Sequence, residues 1–119
     1  MCEDKSVWIF VYGTLKKGGV LYTGLERMMK KDSIVGTLWG RGDVPYPFLK
    51  LERQEEGDSL VHGELHLIGS KLLKMYDRIE GEMYKRRVII TESGVPAQVY
   101  EFIPPVNSLG LRIIKSGRF

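Results

Sequence analysis

Val7-Trp8-Ile9-Phe10-Val11-Tyr12-Gly13-Thr14-Leu15 is the stretch on which the reading of this chain turns. Its first six residues are continuous in β-branched and aromatic types, the pattern of a strand buried on both faces. Gly13 ends the run, and residues 13–19 (GTLKKGG) read as a loop. A buried strand that stops in a glycine turn leaves backbone N–H groups unpaired and pointing outward. Tyr12-Gly13-Thr14-Leu15 is therefore a candidate nest for a carboxylate or a developing oxyanion. A plain turn explains the same residues, and spacing alone favours it.

Outward from that strand, Leu21, Leu25, Met28 and Met29 recur at helical spacing. They predict a short amphipathic helix closing on Lys30 and Lys31, where cations suit the dipole. Residues 33–39 return to strand character until Gly40-Arg41-Gly42-Asp43, and 46–51 read as another short strand that Pro45 and Pro47 restrict to an edge or an irregular start. Residues 60–68 alternate as a half-exposed strand, with Val61, Gly63, Leu65 and Leu67 on one side. Ser70 is the expected N-cap of a second helix carrying Leu72, Leu73, Tyr76 and Ile79, ended by Glu80-Gly81-Glu82. Strands over 84–91 and 95–103 flank a turn at Glu92-Ser93-Gly94, and 111–114 pair briefly. About six strands and two short helices without regular alternation predict an α+β fold. The sheet is expected to be mixed, mostly antiparallel and curved into a small β-barrel. A flat α+β sandwich is the alternative.

The 119 residues suit one domain over 1–119, and 43% hydrophobic with 28% charged residues is a globular balance. Cys2 is the only cysteine, which excludes an intramolecular disulfide and a four-thiolate zinc site. Lys plus Arg exceed Asp plus Glu by 18 to 15, too weak a bias to imply nucleic acid. No run approaches the ~20 apolar residues of a membrane span. The six-residue run at 7–12 follows Glu3, Asp4 and Lys5, not a basic leader, so a cytoplasmic location is expected.

Several motifs fail on inspection. Gly13 and Gly18 have the outer spacing of a phosphate-binding loop, but Gly19-Val20 stands where Lys and Ser or Thr are required. His62, Glu64 and His66 share one face of a strand, yet such a row converges poorly on one ion, and a solvated polar face is the expectation. The basic pairs Lys16-Lys17 and Lys30-Lys31 and the run Lys85-Arg86-Arg87 read as solvated faces in the same way.

The second segment with chemistry in it is Tyr76-Asp77-Arg78-Ile79-Glu80-Gly81-Glu82-Met83-Tyr84-Lys85-Arg86. A carboxylate at the end of an apolar helical stripe is partly desolvated, which lifts its pKa toward the range of a general base. By residue type alone Asp77, Glu80 and Glu82 all compete for that role, and each also suits an ordinary surface charge.

Taken together, an apolar strand into Tyr-Gly-Thr-Leu followed by Asp-x-x-Glu-Gly-x-x-Tyr-x-Arg resembles the γ-glutamylcyclotransferase-like, or AIG2-like, family. Tyr46-Pro47, Gly63-Glu64, Tyr100-Glu101-Phe102 and Ile114-Lys115-Ser116-Gly117 extend the likeness over about residues 7–119. Arg118 departs from the pattern, standing where an acidic residue often follows Ser-Gly, and Tyr76 stands where leucine is common. The resemblance implies a small mixed barrel with a pocket at one end and an enzyme that needs no cofactor. It implies a loop of Tyr12, Gly13, Thr14 and Leu15 that binds a small γ-glutamyl substrate. It assigns the catalytic glutamate to Glu80, not Glu82, and places Tyr84 in the pocket wall. The implied reaction is attack of the substrate's α-amine on its γ-carbonyl, releasing 5-oxoproline and an amine; no metal, nucleic acid or membrane enters it. A non-catalytic binding module, or the same fold acting on another acyl group, is the alternative.

Overall fold

The computed structural model describes residues 5–13, 16, 19, 22–42, 47–51, 60–105, 110–114 and 116–119. In chain order these form β1 (Ser6–Val11), β2 (Met28–Val35), β3 (Thr37–Gly40), β4 (Phe48–Lys50), β5 (Leu60–Gly69), α1 (Ser70–Glu80), β6 (Tyr84–Ile90), β7 (Pro96–Phe102) and β8 (Arg112–Ile113).

β1 lies in the middle of a five-stranded sheet ordered β2-β5-β1-β7-β6. It runs antiparallel to β5 and parallel to β7, and its apolar run is there because side chains are covered on both faces. Ile9 and Val11 pack with Ile68, Leu73, Tyr76 and Tyr100 beneath α1. Phe10 and Tyr12 turn the other way, onto Ile34, Leu38, Leu49, Leu65 and Val99. That second layer is closed by a three-stranded sheet ordered β4-β3-β8.

The expected barrel is not what forms: among the described residues the two sheets stay separate. The chain passes from β2 to β3 through Gly36, where a Cβ would stand 2.9 Å from the Lys50 carbonyl oxygen, so a side-chain-free residue makes the crossing between layers. On the opposite side β4 meets β7 through side chains and not through a ladder. The Leu51 N–H donates to Glu101 Oε2 at 2.8 Å, and Lys50 Nζ to the Ile103 carbonyl at 3.0 Å. Pro47, which has no N–H to donate, heads that edge.

Two further expectations are corrected. Among the described residues there is one helix, not two. Leu21 lies outside the described residues, but Met28 and Met29, expected in the first helix, begin β2 and pair with Leu67 and His66 of β5. Leu25 and Met28 are exposed, so their helical spacing buries nothing, whereas β5 offers an open edge to a partner strand. The β5 strand is also covered on both faces, because α1 and residues 22–27 lie over the side expected to be solvated. Arg27 N donates to the Leu67 carbonyl, and the Tyr22 ring stands edge-on to His66.

The helix itself begins one residue from its expected cap. Gly69 occupies the N-cap without a side-chain hydrogen bond, and Ser70 is the first helical residue. Leu73 and Tyr76 are buried beneath it, while Ile79 is exposed. At the other end Gly81 has φ +71 and donates its N–H to the Asp77 carbonyl. Only glycine adopts that conformation cheaply, and it makes Glu80 the last helical residue.

Candidate active site

α1 leaves β5 at Gly69 and runs back over the sheet, so its C-terminal end returns toward the end of β5 that pairs with Val11. Glu80 is thereby delivered to the same end of the molecule as Tyr12 and Gly13. The Glu80 carboxyl is partly buried, and desolvation raises its pKa from 4.5 to about 7. Its charge is felt by two tyrosines, Tyr12 and Tyr100, and contributes to holding both hydroxyls above their ordinary pKa. Burial is the larger cause in each.

Tyr12 is buried, and its hydroxyl donates to the Tyr100 carbonyl at 2.7 Å. Gly13 follows, and its carbonyl accepts the Lys16 N–H at 3.0 Å, closing a tight turn. A Cβ on Gly13 would stand 2.7 Å from Pro47 Cδ. The glycine is required here by that contact between β1's exit and the start of β4. Tyr84 joins the same group, donating its hydroxyl to the Pro47 carbonyl at 3.0 Å while its ring packs against Phe102. Four of the six residues singled out by motif, Tyr12, Gly13, Glu80 and Tyr84, thus share one end of the sheet. Thr14 and Leu15 lie outside the described residues, as does Tyr46.

The motif reasoning passed over a set of supporting groups. Asp77, read as a competitor for the base and as decoration of the helix end, accepts the Tyr100 hydroxyl at 2.7 Å and pairs with Arg86 Nε at 2.8 Å. Arg86 also donates to Gln98 Oε1. These bonds tie α1 to β6 and β7 immediately beside Glu80 and so hold the helix end that carries it. Asp77 and Arg86 were both visible in the second motif, but their pairing depends on the β6–β7 register, which brings Arg86 opposite Tyr100. With the two side chains 37% and 34% exposed, Asp77→Asn is expected to cost only about 1 kcal/mol in denaturant unfolding. An unchanged midpoint would show the pair to be fully screened. Glu82, the third competitor, is exposed.

The row His62, Glu64 and His66 is not a solvated face. His66 is fully buried, with Nε2 3.0 Å from Glu64 Oε1 and Nδ1 without a hydrogen-bond partner, while His62 Nδ1 meets Ser33 Oγ at 2.8 Å. Each histidine therefore has a separate partner, and among the described residues no group of three His, Cys, Asp or Glu could hold a metal ion. Tyr84 and Tyr100, the aromatics flanking the basic run at 85–87, have their hydroxyls bonded inward. Among the described residues no helix is long and apolar enough to cross a membrane.

A family model described as "Gamma-glutamyl cyclotransferase, AIG2-like" matches residues 9–119. No curated protein matches the sequence. Among solved structures, an AIG2-like protein from Mus musculus aligns with a TM-score of 0.73 at 22% identity, covering 92% of this chain and 86% of the mouse chain. An uncharacterized protein from Pyrococcus horikoshii aligns with a TM-score of 0.69 at 27% identity, over 95% and 89%. YkqA from Bacillus subtilis gives a TM-score of 0.73 at 20% identity over 97% of this chain. This chain spans 40% of the length of YkqA. These likenesses establish a shared fold.

Proposed function

The chain belongs to the gamma-glutamyl cyclotransferase, AIG2-like family, and from that premise we propose that it cyclises a γ-glutamyl compound to 5-oxoproline with Glu80 as general base and acid. The observation that carries this reading is the desolvated Glu80 carboxyl, close enough to Tyr12 for its charge to act on the first motif.

A γ-glutamyl amide contains its own nucleophile. The α-amine lies within reach of the γ-carbonyl, and bond formation between them gives a five-membered ring. At neutral pH that amine is mostly protonated, so a proton has to leave before attack. A carboxylate of pKa about 7 is matched to this task, since it is half ionised at the working pH and still basic enough to accept. The new N–C bond forms at the γ-carbonyl and the old C–N bond breaks. Glu80 relays both protons that the α-nitrogen gives up, one before attack and one from the ring nitrogen after it, to the departing nitrogen, which leaves as an ammonium, so the enzyme ends as it began.

Holding the substrate folded is the other half of the catalysis. In this reading the turn of Tyr12, Gly13, Thr14 and Leu15 grips the glutamyl end through main-chain groups, and Tyr84 forms part of the wall. Such positioning converts a loose chain into a near-attack conformer. Main-chain donors also stabilise charge on the γ-carbonyl oxygen as attack proceeds. Residues of this chain suffice for every proton transfer in the scheme.

Screening γ-glutamyl amides by mass spectrometry for release of 5-oxoproline tests the reaction. The pH profile tests the base. As Glu80 acts ionised, kcat/KM is expected to rise tenfold per pH unit below about 7 and to level off above it. A rising limb centred near the ordinary carboxylate pKa would remove Glu80 from the role.

A further inference from the structure

Tyr100 is fixed from two directions beside the proposed base. Its carbonyl accepts the Tyr12 hydroxyl at 2.7 Å, which holds β7 against the exit of β1. Its ring is buried, and its own hydroxyl donates to Asp77 Oδ1 at 2.7 Å. Asp77 is gripped in turn by Arg86 Nε at 2.8 Å, and the same guanidinium donates to Gln98 Oε1. Arg86 stands opposite Tyr100 across the β6–β7 ladder, and Gln98, two residues back along β7, shares its face. One run of contacts thus joins α1, β6 and β7.

Asp77 and Glu80 are three residues apart on α1, so they are neighbours on one helical face, with Cβ atoms about 5–6 Å apart. The Tyr100 hydroxyl feels both: burial raises its pKa most, and Asp77 and Glu80 add to the rise. A phenol has one proton to donate, and here Asp77 accepts it. Glu80 is the next acceptor along the helix. Loss of water raises its pKa, and among the described residues no hydrogen bond pulls it back down.

We propose that Asp77, clamped by Arg86, is a positioning residue: it commits the Tyr100 hydroxyl to itself and so withholds that donor from Glu80. This rests on Glu80 being the base, and it says what keeps that base strong. A hydroxyl turned onto the ionised carboxylate favours its charged form and leaves a weaker base. The groups around Glu80 are Asp77 on its own helix, Tyr12 beyond β1, Tyr84 and Arg86 on β6, and Tyr100 on β7. Glu101 of β7 is engaged elsewhere, by Arg87 and the Leu51 N–H. Tyr12 and Tyr100 are raised by burial and stay neutral, and Arg86 offsets Asp77. The direction of one hydroxyl is what remains to be set.

Carbon-13 NMR of glutamate-labelled protein, with Glu80→Gln identifying the Glu80 signal, reads this carboxyl without substrate. In the native protein it should titrate at about 7. Asp77→Ala is expected to lower that value by about one pH unit, a tenfold change in proton affinity, as the hydroxyl turns to Glu80. Asp77→Asn loses the same charge but keeps an acceptor for Tyr100, so its titration should stay closer to native. Tyr100→Phe alone should move it little, and Asp77→Ala/Tyr100→Phe should return it most of the way. The rising limb of kcat/KM should follow the same order, which loss of a merely structural tie would not produce. A titration unmoved by Asp77→Ala, equal values for Asp77→Ala and Asp77→Asn, or a shift that survives in full in the double variant overturns the proposal and leaves cyclisation intact. The expected order without 5-oxoproline from any γ-glutamyl amide keeps the role of Asp77 and removes the cyclisation.

Discussion

Glu80→Gln is expected to lower 5-oxoproline release by about two to four orders of magnitude, the usual range for removing a general base. The exchange keeps the size and hydrogen-bonding capacity of the side chain and deletes only its basicity. KM should change little, because in the proposed mechanism Glu80 acts on the proton and the turn at Tyr12 and Gly13 grips the substrate. Turnover at the native rate would end the assignment. A stability measurement separates lost chemistry from lost folding. Loss of water raises the Glu80 pKa in the folded protein to about 7, above its ordinary value of 4.5. The folded state therefore binds the proton more readily, and the stability this contributes is full below pH 4.5 and lost as pH rises through 7. The native protein bears the cost of a desolvated carboxylate at pH 8, and glutamine does not. Glu80→Gln should accordingly unfold at higher denaturant than the native protein at pH 8 and at a similar concentration at pH 4. An inactive variant that is also less stable at pH 8 would mean that the carboxylate is held by favourable contacts instead of merely deprived of water.

Gly63→Ala is expected to have a large effect on folding. Extending the β1–β5 register by one residue beyond Val11↔Glu64 places Gly63 beside Tyr12. A Cβ there would stand 2.3 Å from the Val11 carbonyl oxygen and 2.8 Å from Phe10 Cζ. The Phe10 ring can tilt, but the backbone oxygen belongs to the central strand and has nowhere to move without disturbing the ladder. A loss of about 3 kcal/mol is expected, at the upper end for overpacking in a core, read as a lower urea midpoint. The strain falls where β1 hands over to the turn, so activity should drop in the fraction that stays folded. A midpoint unchanged within about 0.5 kcal/mol, the range of an ordinary surface substitution, would show that β1 and β5 separate freely at this point.

Much of the fold was legible from local pattern. Residues 7–12 announced a strand covered on both faces, because a solvated face would have required polar residues at alternate positions. The helix over 70–80 declared itself by its apolar stripe and by Gly81, whose left-handed backbone is a local property. The hairpin around Glu92-Ser93-Gly94 was equally clear, since its two strands are neighbours in sequence. The Met28–Val35 strand was misread for the complementary reason. Apolar residues spaced like a helix carry no record of the open strand edge at β5 that captures them. His66 was placed in solvent on the strength of alternation, and nothing in residues 60–68 reveals that α1 and residues 22–27 come back over them.

The candidate site divides in the same way. The chemistry proposed for it is read from two short motifs, Tyr12-Gly13-Thr14-Leu15 and Asp77-x-x-Glu80-Gly81-x-x-Tyr84, and from the glycine that stops α1 directly after a glutamate. Such features depend on residue type and on conformational rules acting over a few residues, so sequence suffices for them. What folding alone decided is the environment: how far Glu80 is stripped of water, that Asp77 bridges Tyr100 and Arg86, and that Pro47 seats on Gly13. Each of these depends on which strands become neighbours across tens of residues, and the desolvation that tunes the carboxyl exists only once those neighbours have closed around it.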